Sequence, residues 1–192
     1  MKRFVEGEDR TDSFPRWLHG VTLALATSAA TAFATHGVVA NAAGKASART
    51  LDGRPPLVVA HRGASGYLPE ATVEAFQLAI DQGADVIEFD LISTMDGVLI
   101  ARHDLELSVS TDVATRPEFA GRRRVDWLVD GEKQTGWFAH DFTLAEIRTL
   151  RATITDPERP RHYNCNFRIA TLQDSFDFVR AQSTKLGRSI AI

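Results

Sequence analysis

The sequence predicts an α/β fold with a mostly parallel sheet. Two observations carry that reading. Short apolar runs rich in Val and Ile alternate with stretches of helical periodicity. Ionisable side chains (His61, Glu88, Asp90, His103) gather near the ends of three of those runs, where α/β folds place their ligands. About four strands and three helices can be counted. A closed eight-stranded barrel needs roughly 250 residues. The alternatives are therefore a small open sheet and an unfinished barrel.

Residues 57–61 (LVVAH) read as a buried strand between a Pro-Pro pair and a Gly. Residues 69–83 read as a helix. Pro69 suits its first turn, Glu70 its positive end and Gly83 its stop, while Val73, Phe76, Ala79 and Ile80 form one apolar face. A second strand spans 85–92, a tight turn 95–97 and a third strand 98–104. Residues 105–142 are polar and irregular, with two Trp and the run Arg122–Arg123–Arg124, and read as an insertion or functional loop. Helices follow at 143–151 and 171–187. Thr143 with Glu146, and Thr171 with Asp174, fit a capping box or its near relative. Residues 189–192 (SIAI) begin another strand.

The first 43 residues differ in composition. A basic flank at Arg16, an Ala/Thr/Leu run and a small-residue stretch give the order of a signal peptide, so the chain is expected to be exported, periplasmic or secreted. His36, Gly37 and Asn41 interrupt any permanent span, so no stable membrane span is expected in the mature protein. Residues 44–56 read as a linker and 57–192 as the domain. A net charge of −3 over 192 residues argues against a nucleic-acid partner. Cys165, the single cysteine, reads as a small apolar filler.

Side chains alternate along a strand. Val59 and His61 share a face, as do Val86, Glu88 and Asp90, and Leu99, Ala101 and His103. Ile87, Phe89 and Leu91 form the opposite, dry face. Arg102 falls on the helix side, with its head expected to reach solvent. Glu88 and Asp90, two residues apart, would repel unless a cation lay between them. They read either as ligands of a hard divalent metal or as an ordinary acidic pair at a solvated strand end. His61 and His103 can serve as general acid and base. Arg62 offers a planar fork for a phosphate, or a salt bridge to a neighbouring carboxylate. Gly63 and Gly66 let backbone approach a ligand, or form a turn. Arg122–Arg124 reads as a solvated face, with headgroup attraction the lesser alternative.

HRGASGYLPEAT (61–72) and GADVIEFDLISTMDGVLIARHD (83–104), continued by DFTLAEIRTL and FRIATLQDSFDFV, resemble the glycerophosphodiester phosphodiesterase family, in particular its longer periplasmic or secreted bacterial members. The resemblance covers about 57–192. It implies a (β/α)8 TIM barrel of the PLC-like phosphodiesterase type, present here in part. It also implies hydrolysis of small-molecule glycerophosphodiesters to glycerol 3-phosphate and an alcohol. His61 and His103 would be the catalytic pair, Arg62 the phosphate contact, and Glu88 and Asp90 metal ligands, with Ca²⁺ favoured over Mg²⁺. Glu70 and Thr72 match supporting positions. Ala71 departs from the Asn or His often found there, which removes any polar contact from that position. The family's third metal-binding Glu and a Lys would come from an E-x-K segment on the strand that SIAI begins. The expectation is thus a C-terminally shortened chain that binds metal weakly and turns over poorly. Two alternatives are a catalytically incompetent remnant that only binds a ligand or partner, and a sphingomyelinase D-like phospholipase.

Overall fold

The computed structural model describes residues 49–192. The leader at 1–43 and the start of the linker lie outside the described residues, while 49–56 form an exposed turn. The described chain holds strands β1 (Val59–His61), β2 (Val86–Glu88), β3 (Leu91–Ser93), β4 (Leu99–Ala101), β5 (Arg124–Val129) and β6 (Glu132–Gly136). Its α-helices are α1 (Val73–Asp81), α2 (Leu144–Ile147) and α3 (Leu172–Leu186).

β1, α1 and β2 form a β-α-β crossover unit, with β1 parallel to β2 in the register Val59↔Val86 and His61↔Glu88. On the other side of β2, Ala191 bridges in parallel to Val86. This ladder is the opening wall of a partial (β/α) barrel. Phe76 and Ile80 of α1, Ile87 of β2 and Val179 of α3 pack together and are almost fully buried. Each large apolar side chain of this kind contributes about 1.5–3 kcal/mol when fully withdrawn from water.

α1 begins later than its periodicity suggests. Ala71 adopts φ 52°, which breaks the helix, so Pro69 and Glu70 belong to the preceding loop. Thr72 then caps α1 by accepting the Ala75 N–H at 3.2 Å. Gly83 lies one residue past the C-cap, Gln82.

The single strand read at 85–92 is two strands in different sheets. Glu88 O accepts the Arg62 N–H at 2.7 Å, whereas Asp90 O accepts the Arg102 N–H at 3.1 Å. The chain changes partner between these residues. β3 then pairs antiparallel with β4, Leu91 opposite Ala101. One consequence corrects the dry-face expectation. Ile87 is buried and Phe89 packs 5.2 Å from Phe76, but Leu91 is exposed.

The insertion at 105–142 is ordered rather than irregular. It contains short 3₁₀ turns and the β5–β6 hairpin, and covers a second core that includes Leu107, Phe119, Trp137 and Phe142. Buried Glu106 holds it together, accepting the N–H groups of Ser108 at 3.0 Å and Trp137 at 2.8 Å. Arg123 is exposed, as a solvated face requires, but Arg122 and Arg124 are half-buried and paired. Arg122 forks onto Glu146 and lies 5.1 Å from the Phe142 ring centroid, and Arg124 forks onto Asp141.

Both capping boxes form, Thr143 with Glu146 and Thr171 with Asp174. α2 is nevertheless only four residues long, well short of 143–151. The Arg122 guanidinium and the Thr143 N–H hold the Glu146 carboxyl down at about 2, against an ordinary 4.5. A depressed carboxyl stabilises the fold above its unfolded value and loses that contribution as pH falls through its folded one. Glu146→Gln should therefore lower stability at neutral pH and flatten the loss between about pH 4.5 and 2. Urea unfolding across that window tests this; parallel pH profiles for variant and wild type would contradict it.

Candidate active site

β1 ends on His61, and the next two residues turn the chain sharply, Arg62 at φ 57° and Gly63 at φ 75°. The turn closes into a loop because the Ala71 N–H donates to Arg62 O at 2.9 Å. This geometry swings Arg62 over the end of the ladder. Its Nη1 donates to Glu70 Oε1 and Oε2 at 3.1 and 3.2 Å. Its Nε lies 3.2 Å from Asp90 Oδ2, close enough for an ion pair but misaligned for a hydrogen bond. Nη2 has no hydrogen-bond partner among the described residues. The salt-bridge reading of Arg62 is thus realised twice over, and one edge of the fork stays open.

Glu88 and Asp90, half-exposed, face the same side at the end of β2. Glu88 Oε2 lies 3.9 Å from His61 Nε2. Glu88 Oε2 and Asp90 Oδ2 are both shielded from solvent and accept no hydrogen bond. Two shielded carboxylate oxygens without a hydrogen-bond donor suit a hard divalent cation. Among the described residues, no three or more His, Cys, Asp or Glu side chains gather as a metal-ligating group.

His103 follows β4, half-exposed, with Nδ1 3.1 Å from Asp104 Oδ1. With the proton on Nδ1, Nε2 is left free to accept. Asp104 orients His103 and was not singled out from sequence, although its adjacency in the motif HD was the available signal. His61, Arg62, Glu88 and Asp90 form one contiguous patch. The side chain of His103 makes no bond to that patch; the neighbouring Arg102 is tied to it by the bond from Arg102 N–H to Asp90 O.

Arg102 corrects an expectation outright. Its side chain does not reach solvent; it is fully buried. Nη1 donates to Glu70 O at 2.8 Å and to Ala101 O at 3.1 Å. Burial pulls the guanidinium down to about 10, opposed by the charge of Glu70, so it stays ionised at neutral pH. Glu70, also buried, receives a weak third bond from Thr155 Oγ1 at 3.4 Å. Arg159 reaches across to Ser65 O at 2.8 Å, tying the segment around 155–159 to the loop after β1.

A cavity of about 560 Å³ is lined by Val73, Glu74, Arg148, Arg168 and Asp174 among others, and by none of the residues above. Its two arginines share it with two carboxylates, so it offers an anion no net positive field.

Residues 61–192 match the model of the glycerophosphoryl diester phosphodiesterase family. A glycerophosphodiester phosphodiesterase of Arabidopsis thaliana is 46% identical over 129 residues, covering 67% of this chain and 34% of that relative. One of Haemophilus influenzae is 35% identical over 184 residues, covering 89% of this chain and 46% of that relative. The chain thus spans between a third and half the length of these relatives. Among solved structures, a glycerophosphodiester phosphodiesterase from Agrobacterium tumefaciens is 28% identical with a TM-score of 0.48, over 66% of this chain and 43% of the other. A phosphodiesterase from Oleispira antarctica, in complex with the product sn-glycerol-3-phosphate, is 28% identical with a TM-score of 0.47, over 66% and 40%.

Proposed function

The chain belongs to the glycerophosphoryl diester phosphodiesterase family, and from that premise we propose that it hydrolyses glycerophosphodiesters to glycerol 3-phosphate and an alcohol. One observation carries the reading beyond membership: an imidazole, a guanidinium with an open edge and two shielded carboxylate oxygens meet at the ends of β1 and β2. A phosphodiester needs positive charge on its oxygens and proton transfer at both bridging positions.

Arg62 binds a non-bridging phosphate oxygen through Nη2, while Glu70 and Asp90 keep its fork from turning away. His103, oriented by Asp104, takes the proton from the attacking oxygen at Nε2. His61 gives a proton to the leaving alcohol, and Glu88 beside it steadies the imidazolium. Glu88 and Asp90 would hold a divalent cation, Ca²⁺ in this reading, which supplies further positive charge against the phosphate oxygens. The leader at 1–43 directs export; N-terminal sequencing of secreted protein tests that part. No helix of the described residues is long and apolar enough to cross a membrane.

A second reading has a specific observation behind it. Among the described residues no third His, Cys, Asp or Glu joins Glu88 and Asp90 in a metal-ligating group, which suits a catalytically incompetent module that binds the diester without turning it over. Release of glycerol 3-phosphate from glycerophosphocholine by the purified chain separates the two. The expected result is hydrolysis abolished by EDTA and restored by Ca²⁺, with Glu88→Gln raising the Ca²⁺ requirement about tenfold or more. Binding without release would favour the second reading. Preference for an acylated headgroup diester would point to the sphingomyelinase D-like alternative.

A further inference from the structure

Four residues from three segments close a ring. The Arg102 guanidinium donates to Glu70 O at 2.8 Å. The Glu70 carboxylate grips Arg62 Nη1. Arg62 Nε faces Asp90 Oδ2 at 3.2 Å. Asp90 O in turn accepts the backbone N–H of Arg102 at 3.1 Å. We propose that Arg102 is a positioning residue for substrate binding: its buried guanidinium fixes the Glu70 peptide, and through the Glu70 carboxylate it sets the aim of Arg62.

Three observations support this. First, a buried arginine charge is costly, and an apolar side chain of similar volume would satisfy packing with less loss. Nε and Nη2 of Arg102 have no hydrogen-bond partner, so the group is not a fully satisfied structural knot. Second, the carbonyl it does hold belongs to the peptide entering Ala71, a non-glycine residue at φ 52°. Such a backbone is held only where its surroundings over-determine it. The Arg102 bond is one such restraint, and without it the Glu70–Ala71 peptide can relax. Third, Glu70 is itself buried and holds Arg62 with both carboxylate oxygens, so a shift of its peptide moves the group that aims Arg62.

The inference rests on the reading of Arg62 as the phosphate contact, and the experiment separates the two. Calorimetric binding of sn-glycerol 3-phosphate to the full chain is compared in wild type, Arg62→Ala, Arg102→Met and Arg102→Lys. The exchange rate of the Arg62 Nε–H is followed by NMR in the last two. The expected result is loss of binding in Arg62→Ala. In folded Arg102→Met, binding should weaken tenfold or more and Arg62 Nε–H exchange should speed up. Arg102→Lys, which can still donate to Glu70 O, should recover part of both. Wild-type affinity and exchange in Arg102→Met would overturn the proposal, as would unfolding of both Arg102 variants, which marks a structural role only. If wild type itself fails to bind, the phosphate reading of Arg62 falls. The NMR comparison then decides the Arg102 clamp alone: faster exchange in Arg102→Met upholds it and unchanged exchange overturns it.

Discussion

Replacing His103 by alanine is expected to lower glycerophosphocholine hydrolysis about a hundredfold or more, the usual contribution of a positioned proton-transfer group. The melting temperature should move by no more than about two degrees, because an exposed side chain away from the core carries little of the fold. His103 is half-exposed and its side-chain bond runs to its neighbour Asp104. The loss should therefore fall on kcat, with substrate affinity largely kept, since Arg62 stands on a different strand end. Asp104→Asn should cost less than His103→Ala yet more than a surface change. It keeps a partner on Nδ1 but can favour the wrong tautomer. His61→Ala is expected to match His103→Ala, and the double variant to lose little beyond either single one, because the two act on one reaction. Equal turnover in wild type and either single variant would remove the two-imidazole account. A parallel collapse of melting temperature and turnover would instead make the residue structural.

The parts of the fold legible in sequence were those set by local chemistry. The α1 face follows from apolar spacing, and both capping boxes from pairs of residues three apart. What sequence could not show was decided at long range. The change of partner between Glu88 and Asp90, which splits 85–92 into β2 and β3, depends on which backbone lies beside each carbonyl. No periodicity records that. The order within 105–142 likewise hangs on Glu106, a buried carboxylate serving N–H groups up to 31 residues away. In a sequence it looks like any surface glutamate. The pairing of Arg122 and Arg124 is hidden for the same reason, since their partners Glu146 and Asp141 sit beyond the hairpin.

The candidate site divides along the same line. Strand alternation places His61 beside Glu88, and the ladder register realises it. Alternation also sets Arg102 apart from His103, but the assumption that its charged head must find water does not hold. The Glu70 carbonyl, 32 residues earlier beside the left-handed Ala71, accepts from its guanidinium and gives it a place to end inside. Ala71 is instructive here. Its lost polar side chain matters less than its backbone, because φ 52° is what presents the Glu70 carbonyl to Arg102.

Gly63→Ala is the second change expected to have a large effect, this time on stability. Gly63 has φ 75°, where an added Cβ is strained in any surroundings. The surroundings are also full. A Cβ there would lie 2.8 Å from Ala75 C and 2.9 Å from Ala75 O, which are helix backbone with no flexible end to yield. Strain and overpacking together should cost about 3 kcal/mol or more, lowering the melting temperature by roughly 10 °C for a domain of this size. The bond from the Ala64 N–H to Ala75 O, 2.9 Å, would be pushed apart, and with it the docking of the loop after β1 onto α1. Binding of sn-glycerol 3-phosphate should fall in step, because Arg62 precedes Gly63 directly. Gly66→Ala is the matched control: nothing lies within 4 Å of its added Cβ and its φ is outside the left-handed region. Thermal unfolding of the pair tests the argument. If both glycines tolerated alanine equally, the close approach of this loop to α1 could not be what fixes Arg62 at the strand end.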